Sequence, residues 1–201
     1  LKDICNEYSL FYVKPKFGFA GNKIVKITKN DNLFLVTYQD GNDKDKLEKI
    51  SKNLALDKLH NYLSEVILTD KWNANDYIVQ EGIDCIPYNG GIFDIRSVMM
   101  NNGKGKLCHM GVTARCVGSK RITANFSTGG DTERIENVLN NLFDCEKTNE
   151  LLNSIKESSF KLTEHFQNFY DRVGEIGIDF MINKSGKLYI IECNNRPGAL
   201  L

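Results

Sequence analysis

Asp179, Glu192 and Asn194 are the residues whose types and spacing point most directly to chemistry. They lie in Gly177-Ile178-Asp179-Phe180-Met181-Ile182-Asn183-Lys184-Ser185-Gly186-Lys187-Leu188-Tyr189-Ile190-Ile191-Glu192-Cys193-Asn194, two apolar runs around a turn sequence. The pattern predicts a β-hairpin, and a two-residue loop at Ser185-Gly186 sets Asp179 across from Glu192. Side chains alternate along a strand, so Asn194 shares the face of Glu192. Three hard oxygen donors thus converge on one side of one hairpin. Two adjacent carboxylates repel, and each is costly to bury unpaired. A positive partner is therefore expected between them, and Mg²⁺ carrying a nucleotide phosphate suits such donors. The alternative is a solvated polar face on an edge hairpin.

Other segments carry charge or glycine where a strand or turn would not demand it. Lys14-Pro15-x-x-Gly18-x-x-Gly21 joins two strand-like runs through a glycine-containing turn. Backbone N–H groups of such a loop can surround an anion, and Lys14 adds a point charge. A simple glycine hairpin explains the same residues, and no Gly-Lys-Ser/Thr opens a helix here. Gln80-Glu81-Gly82-Ile83 ends a strand between two expected lobes, where backbone groups can meet an adenine edge and Glu81 can meet ribose hydroxyls. An exposed linker is the alternative. Asp94 and Arg96 share one face of the apolar run Phe93–Val98, and Gly111-Val112-Thr113-Ala114-Arg115 supplies a second strand arginine. Arginine's planar fork suits phosphate or carboxylate oxygens, although either arginine could simply anchor a carboxylate. Asn125 precedes a double glycine, Gly129-Gly130, at an expected helix start, where N–H groups can hold an anion; turn conformation alone also explains these residues.

The elements that must position these residues follow from periodicity. Residues 2–9 read as a helix end, followed by strands at Leu10–Val13, Ile24–Thr28 and Leu33–Tyr38. Leu47, Ile50, Leu54, Leu59, Leu63 and Ile67 recur at roughly helical spacing and predict a helix from about Lys46 to Leu68. Strands are expected at Asp76–Ile83, Ile92–Met100, Leu107–Val117 and Arg121–Asn125, then helices over about 131–142 and 147–172. The 201 residues suffice for one sizeable core or two small lobes. Lys+Arg and Asp+Glu both number 26, which gives no global field favouring nucleic acid or an anionic membrane. No apolar run has the length to cross a bilayer. The six cysteines form no Cys-x-x-Cys pair, which points to a reduced, cytoplasmic setting. Cys108 and His109 are adjacent on a strand and so point to opposite faces, against a metal pair. Beginning at Leu1, the chain is expected to have an N-terminal portion outside it.

In order and spacing, the Lys14–Gly21 loop, Tyr77–Ile83, Phe93–Arg96, Gly111–Arg115, Asn125 with Gly129-Gly130, and Gly177–Gly198 resemble the ATP-grasp superfamily. The nearest likeness is to its YheC/YheD-like, endospore coat-associated group. The resemblance spans nearly the whole chain. It implies an α+β fold of two lobes with antiparallel sheets clasping the nucleotide, residues 1–78 forming the N-terminal lobe and 79–201 the catalytic lobe, with a further domain upstream. Lys14, Gly18 and Gly21 would contact phosphate, and Gln80, Glu81, Gly82 and Ile83 would form the adenine hinge, with Asn125 also on the nucleotide. Asp179, Glu192 and Asn194 would hold Mg²⁺, two ions by the likeness. Arg96 and Arg115 would face the γ-phosphate or the phosphorylated substrate. The implied reaction is ATP-dependent joining of a carboxylate to an amine or similar nucleophile through an acylphosphate. No nucleic acid or membrane is implied, and the group's name adds an expectation of spore-coat association. A nucleotide-binding coat component without turnover is the second reading, and phosphoryl transfer alone is a third.

Overall fold

The computed structural model describes residues 2–16, 24–40, 48–68, 76–118, 131–170 and 173–195. Contacts divide the chain into two compact units, with the change at Asp84–Cys85. The first unit contains α1 (Lys2–Glu7), β1 (Leu10–Pro15), β2 (Val25–Asn30), β3 (Leu33–Asp40), β4 (Glu48–Ala55), α2 (Leu56–Leu68) and β5 (Tyr77–Glu81). Its strands form one antiparallel sheet in the order β4-β3-β2-β1-β5. Alternation decides the buried face: Phe11 and Val13, Val25 and Ile27, and Phe34 and Val36 point the same way and meet Leu59 and Leu63 of α2.

The helix expected from Lys46 is shorter than the apolar spacing suggested. Residues 48–55 instead form β4, paired with β3 so that Leu54 faces Phe34. Ile50 and Leu54 fit a period of two as well as a helical one, and an antiparallel partner for β3 decides between them. Leu59 and Leu63, one helical turn apart, retain the expected packing role in α2. The strand on which the expected lobe boundary at 78/79 fell, β5, pairs with β1 along its length. The division therefore comes after it.

The second unit contains β6 (Ile92–Asn101), β7 (Leu107–Val117), β8 (Asp131–Arg134), α3 (Ile135–Leu142), α4 (Cys145–Gln167), β9 (Glu175–Ile182) and β10 (Leu188–Asn194). The helix expected over 131–142 gives its first four residues to β8, which pairs with β7. The sheet runs β10-β9-β6-β7-β8, antiparallel throughout. Its apolar face presents Phe93, Ile95, Ile178, Phe180 and Ile182 to Ile135, Val138 and Leu139 of α3 and Leu151 and Ile155 of α4. Asp144 starts α4 by accepting a hydrogen bond from the Lys147 N–H at 2.8 Å. With that face sealed by helices, residues 94, 96, 115, 179, 192 and 194 project from the opposite side.

Gly91, at the entrance to β6, has no room for a side chain. A Cβ there would lie 1.9 Å from the Val117 carbonyl oxygen, a backbone atom that cannot rotate away. Gly91→Ala is expected to destabilise the second unit by about 2–3 kcal/mol, read as a lower urea midpoint. An unchanged midpoint would mean that β6 and β7 separate at that end without cost.

Candidate functional site

The hairpin β9–β10 forms, but not by the expected turn. Asn183 organises a loop one residue longer: its side-chain oxygen accepts from the Ser185 and Lys187 N–H groups at 3.0 and 2.9 Å. The Gly186 N–H donates to the Asn183 carbonyl at 2.9 Å, with Gly186 at φ +77°. Ile182 then pairs with Leu188 and Phe180 with Ile190. A bulge between Ile190 and Glu192 takes up the offset, and Glu192 comes to face Asp179 as expected. Cys193 stays against the helix-covered core, while Glu192 and Asn194 turn to the opposite face. The Asn194 amide nitrogen lies 3.3 Å from Asp179 Oδ2 and 3.3 Å from Glu192 Oε1, so one amide joins both carboxylates.

For Asp179, the positive partner is present as protein. Strand register sets Arg96 beside Asp179 and Asp94 beside Arg115. Arg96 donates through Nε to Asp179 Oδ1 and through Nη2 to Oδ2 at 2.9 Å. Arg115 donates through Nε to Asp94 Oδ1 at 2.6 Å and through Nη2 to Asp94 Oδ2 at 2.5 Å. The same Nη2 lies 3.1 Å from Asp179 Oδ2 and closes the network. All four residues are buried, each 6% exposed or less. Asp94 and Arg96, which share a face, do not simply pair with each other; each takes its forked partner from a neighbouring strand.

Two arginines and two aspartates leave the network formally neutral, which is what permits its burial. Burial pushes the Asp94 carboxyl up to about 6 despite the opposing pull of Arg115. For Arg115 burial acts downward, but the hydrogen bonds and charge of Asp94 outweigh it and hold the guanidinium above its usual range. Asp94 is the member that sequence reasoning left out of the site. Its signal was the acidic residue two positions before Arg96 on an apolar strand, but its partner depended on the β6–β7 register.

Glu192 is exposed, Asn194 half-buried and Asp179 buried, so the oxygen donors run from solvent to the network. Among the described residues no three His, Cys, Asp or Glu side chains converge as a metal site; the third donor here is the amide of Asn194. The donor chemistry suits Mg²⁺ at Glu192 and Asn194, while Asp179 is already engaged by arginine. All six cysteines are thiols. Burial and then the charges of Asp179 and Glu192 push Cys193 up to about 11, which suppresses a nucleophilic thiolate. His109 lies on the helix side, its Nε2 3.0 Å from Ser97 Oγ and its ring against Phe160.

In the first unit, Lys14, Tyr12, Ile78 and Gln80 share the β1–β5 face that does not carry Phe11 and Val13. The Lys16 N–H donates to Asp76 O at 2.7 Å, and the Gly82 N–H to Leu10 O at 2.9 Å. Given the register, these bonds turn the backbone of Gln80 and Gly82 toward β1 and that of Glu81 toward the open side of β5. Gly82 is needed for this approach, since a Cβ there would lie 2.3 Å from Leu10 Cγ. Gly18, Gly21 and Asn125 lie outside the described residues, as does the Arg196-Pro197-Gly198 end of the hairpin motif.

A family model described as YheC/D like ATP-grasp matches residues 1–200. Two relatives from Bacillus subtilis (strain 168) are "Endospore coat-associated protein YheD" and "Endospore coat-associated protein YheC". The first is 29% identical over 199 residues, covering 98% of this chain and 42% of that protein. The second is 26% identical over 197 residues, covering 92% of this chain and 48% of that protein. The chain thus spans less than half the length of the curated relatives it matches. A solved structure described as the ADP complex of purK, N5-carboxyaminoimidazole ribonucleotide synthetase, aligns with TM-score 0.47 and 12% identity, covering 98% of this chain and 37% of that one. Among the described residues no helix is long and apolar enough to cross a membrane.

The raised carboxyl of Asp94 sets a pH dependence. Its folded pKa, about 6, exceeds the unfolded aspartate value, so the native state takes up the proton first as pH falls. This group's contribution to stability is complete below the unfolded pKa and is lost as pH rises through 6. Wild type should therefore gain roughly 2–3 kcal/mol relative to Asp94→Asn between pH 7 and pH 4. Urea unfolding of both proteins across that range measures it. A pH-independent difference would show that Asp94 titrates in the ordinary carboxylate range.

Proposed function

The chain belongs to the YheC/D-like ATP-grasp family, and on that premise we propose that it acts as an ATP- and Mg²⁺-dependent carboxylate–amine ligase. The observation that carries this reading is the β9–β10 face, where Asp179 meets Glu192 across the hairpin and Asn194 bonds to both. An isolated structural hairpin has no need of two carboxylates and an amide joined in this way. When bound, Mg²⁺ supplies charge compensation for the nucleotide phosphates. Glu192, Asn194 and Asp179 would hold it.

The remaining roles follow from charge and position. ATP brings about four negative charges, and transfer of its γ-phosphoryl group needs positioning and charge compensation more than a covalent protein group. Lys14 supplies a cation to the phosphates, with Gly18 and Gly21 of its loop assigned to close backbone approach. In the hinge of Gln80, Glu81, Gly82 and Ile83, the outward backbone of Glu81 is the group suited to the adenine edge. Asn125 is assigned to the nucleotide as well. Arg96 and Arg115 neutralise the transferred phosphoryl group. Attack by a substrate carboxylate gives an acylphosphate and ADP, and an amine or similar nucleophile then displaces phosphate. No cysteine has a part in either step, in keeping with the suppressed acidity of Cys193.

A second reading is a nucleotide-binding coat component without turnover. The printed names of both relatives favour it, since they give an association with the endospore coat. Release of phosphate on incubation with ATP and candidate carboxylates and amines separates the two.

Calorimetric titration with ATP, with and without Mg²⁺, tests the site itself. Binding should require Mg²⁺. Glu192→Gln should weaken it by about tenfold or more, the scale of a lost metal ligand's support, with the fold intact by circular dichroism. Lys14→Ala should raise the dissociation constant severalfold, as loss of one charge-assisted phosphate contact does. Affinity indifferent to both substitutions would overturn the assignment of the site.

A further inference from the structure

Behind the charged face, on the helix side of the same sheet, side chains from three elements are joined in a line. His109 of β7 has its Nε2 3.0 Å from Ser97 Oγ of β6, and Ser97 Oγ lies 2.8 Å from Ser159 Oγ of α4. The Ser159 hydroxyl in turn donates to the Ile155 carbonyl oxygen, one turn back along α4, at 2.7 Å. A carbonyl oxygen can only accept, so the Ser159 hydrogen goes to Ile155. Ser159 Oγ must then accept from Ser97, and Ser97 Oγ must accept from His109. The ring hydrogen of neutral His109 therefore sits on Nε2, and Nδ1 carries the lone pair. That order excludes Ser97 as a nucleophile activated by His109, since the histidine gives a hydrogen and takes none.

The line fastens one half of α4. In the first half, Leu151 and Ile155 enter the apolar core. Farther along, the buried residues are Ser159 and Thr163, and the hydroxyl of each bonds back within the helix, Thr163 Oγ1 donating to Ser159 O at 2.7 Å. Phe160, Leu162 and Phe166 flank them and are only partly buried, and the sheet reaches this stretch through the Ser97 hydroxyl. We propose that His109, Ser97 and Ser159 form an acid-sensitive latch: neutral His109 holds the second half of α4 on the sheet, and a proton taken up at Nδ1 loosens it. That proton leaves the Nε2–H in place, so the cost is electrostatic and not a broken hydrogen bond. The half-buried ring would carry its charge beside Phe160, ring centroids 6.5 Å apart, with Lys156 of α4 adding a like charge. From β6 it is faced by Ser97 and Met99, neither of them charged, and Cys108 beside it on β7 points to the opposite face. Burial first, and then Lys156, hold the imidazole below the usual histidine value of 6.5. Once the helix half lifts, the ring regains that ordinary value and takes up a proton first as pH falls below it. Opening is therefore favoured in acid, and the latch contributes in full above 6.5.

Imidazole nitrogen resonances of the full chain test the latch first. At neutral pH His109 should carry its hydrogen on Nε2 with Nδ1 bare, and it should titrate below the usual histidine range. Hydrogen exchange then reads the helix. As pH falls from about 7 to about 5, amides after Ser159, corrected for intrinsic exchange, should lose protection severalfold relative to those around Leu151 and Ile155. His109→Gln keeps a nitrogen donor for Ser97 but cannot take up the proton, so both halves of α4 should then respond alike. Comparing two halves of one helix removes any change in the stability of the whole unit, including the one set by Asp94. A bare Nε2, or titration at the ordinary histidine value, overturns the latch in a readout that needs no variant to fold. An even response along α4 in wild type, or the same selective loss in His109→Gln, overturns the role given to His109.

Discussion

Two guanidinium groups and two carboxylates are buried together on the sheet face away from α3 and α4, and much of the second unit is arranged around keeping them matched. Removing a charge from water costs several kcal/mol even after relaxation, and mutual attraction repays this only with good geometry and satisfied hydrogen bonds. Here both conditions are met by strand pairing. Arg96 lies beside Asp179 across β6–β9, and Asp94 lies beside Arg115 across β6–β7, so each fork meets a carboxylate in register. Arg115 joins the two pairs through Nη2, which makes the network depend on three strands at once.

The same register is enforced from the other side. Ile95, Ile178 and Phe180 must face the helices, and a slip by one residue would turn Asp179 into the core and an isoleucine or phenylalanine out of it. Apolar packing and charge pairing thus select one alignment from opposite faces of a single sheet. The bulge in β10 shows how much that alignment is worth. The Asn183 loop alone would leave Glu192 off the Asp179 face, and the extra residue at Ile191 restores it at the sheet edge, where bulges disturb the ladder least. Cys193 still reaches the core, so neither face gives way to the other.

The features legible in the sequence were those set by local period. Alternation marked β1, β6, β7 and β9, and the convergence of Asp179, Glu192 and Asn194 followed from it. The features that escaped depended on contacts between distant residues. Residues 48–55 carry apolar spacing compatible with two periods, and only β3 decides that they form a strand. The place of Asp179 opposite Glu192 was anticipated from a two-residue turn, yet it arises from a longer turn and a compensating bulge that no residue type announces. Asp94 was visible as an acidic residue on an apolar strand. Its pairing with Arg115 was not, because β6 and β7 shift register between Val98 and Met99 on the way from their connecting turn. A local pattern gives the face of a residue; its partner comes from the tertiary alignment.

A neutral network has little field of its own with which to draw in a polyanion. Asp94 and Asp179 cancel Arg96 and Arg115, and both arginine forks lie on carboxylates. The sharing is uneven, since Arg115 reaches both aspartates while Asp94 takes its fork. Loss of Asp94 would leave Arg115 to share Asp179 with Arg96, and the low dielectric of a buried site makes such an imbalance costly. Asp94 therefore does more than fill a place on β6: it keeps the charges of three strands in balance on a face that water does not reach.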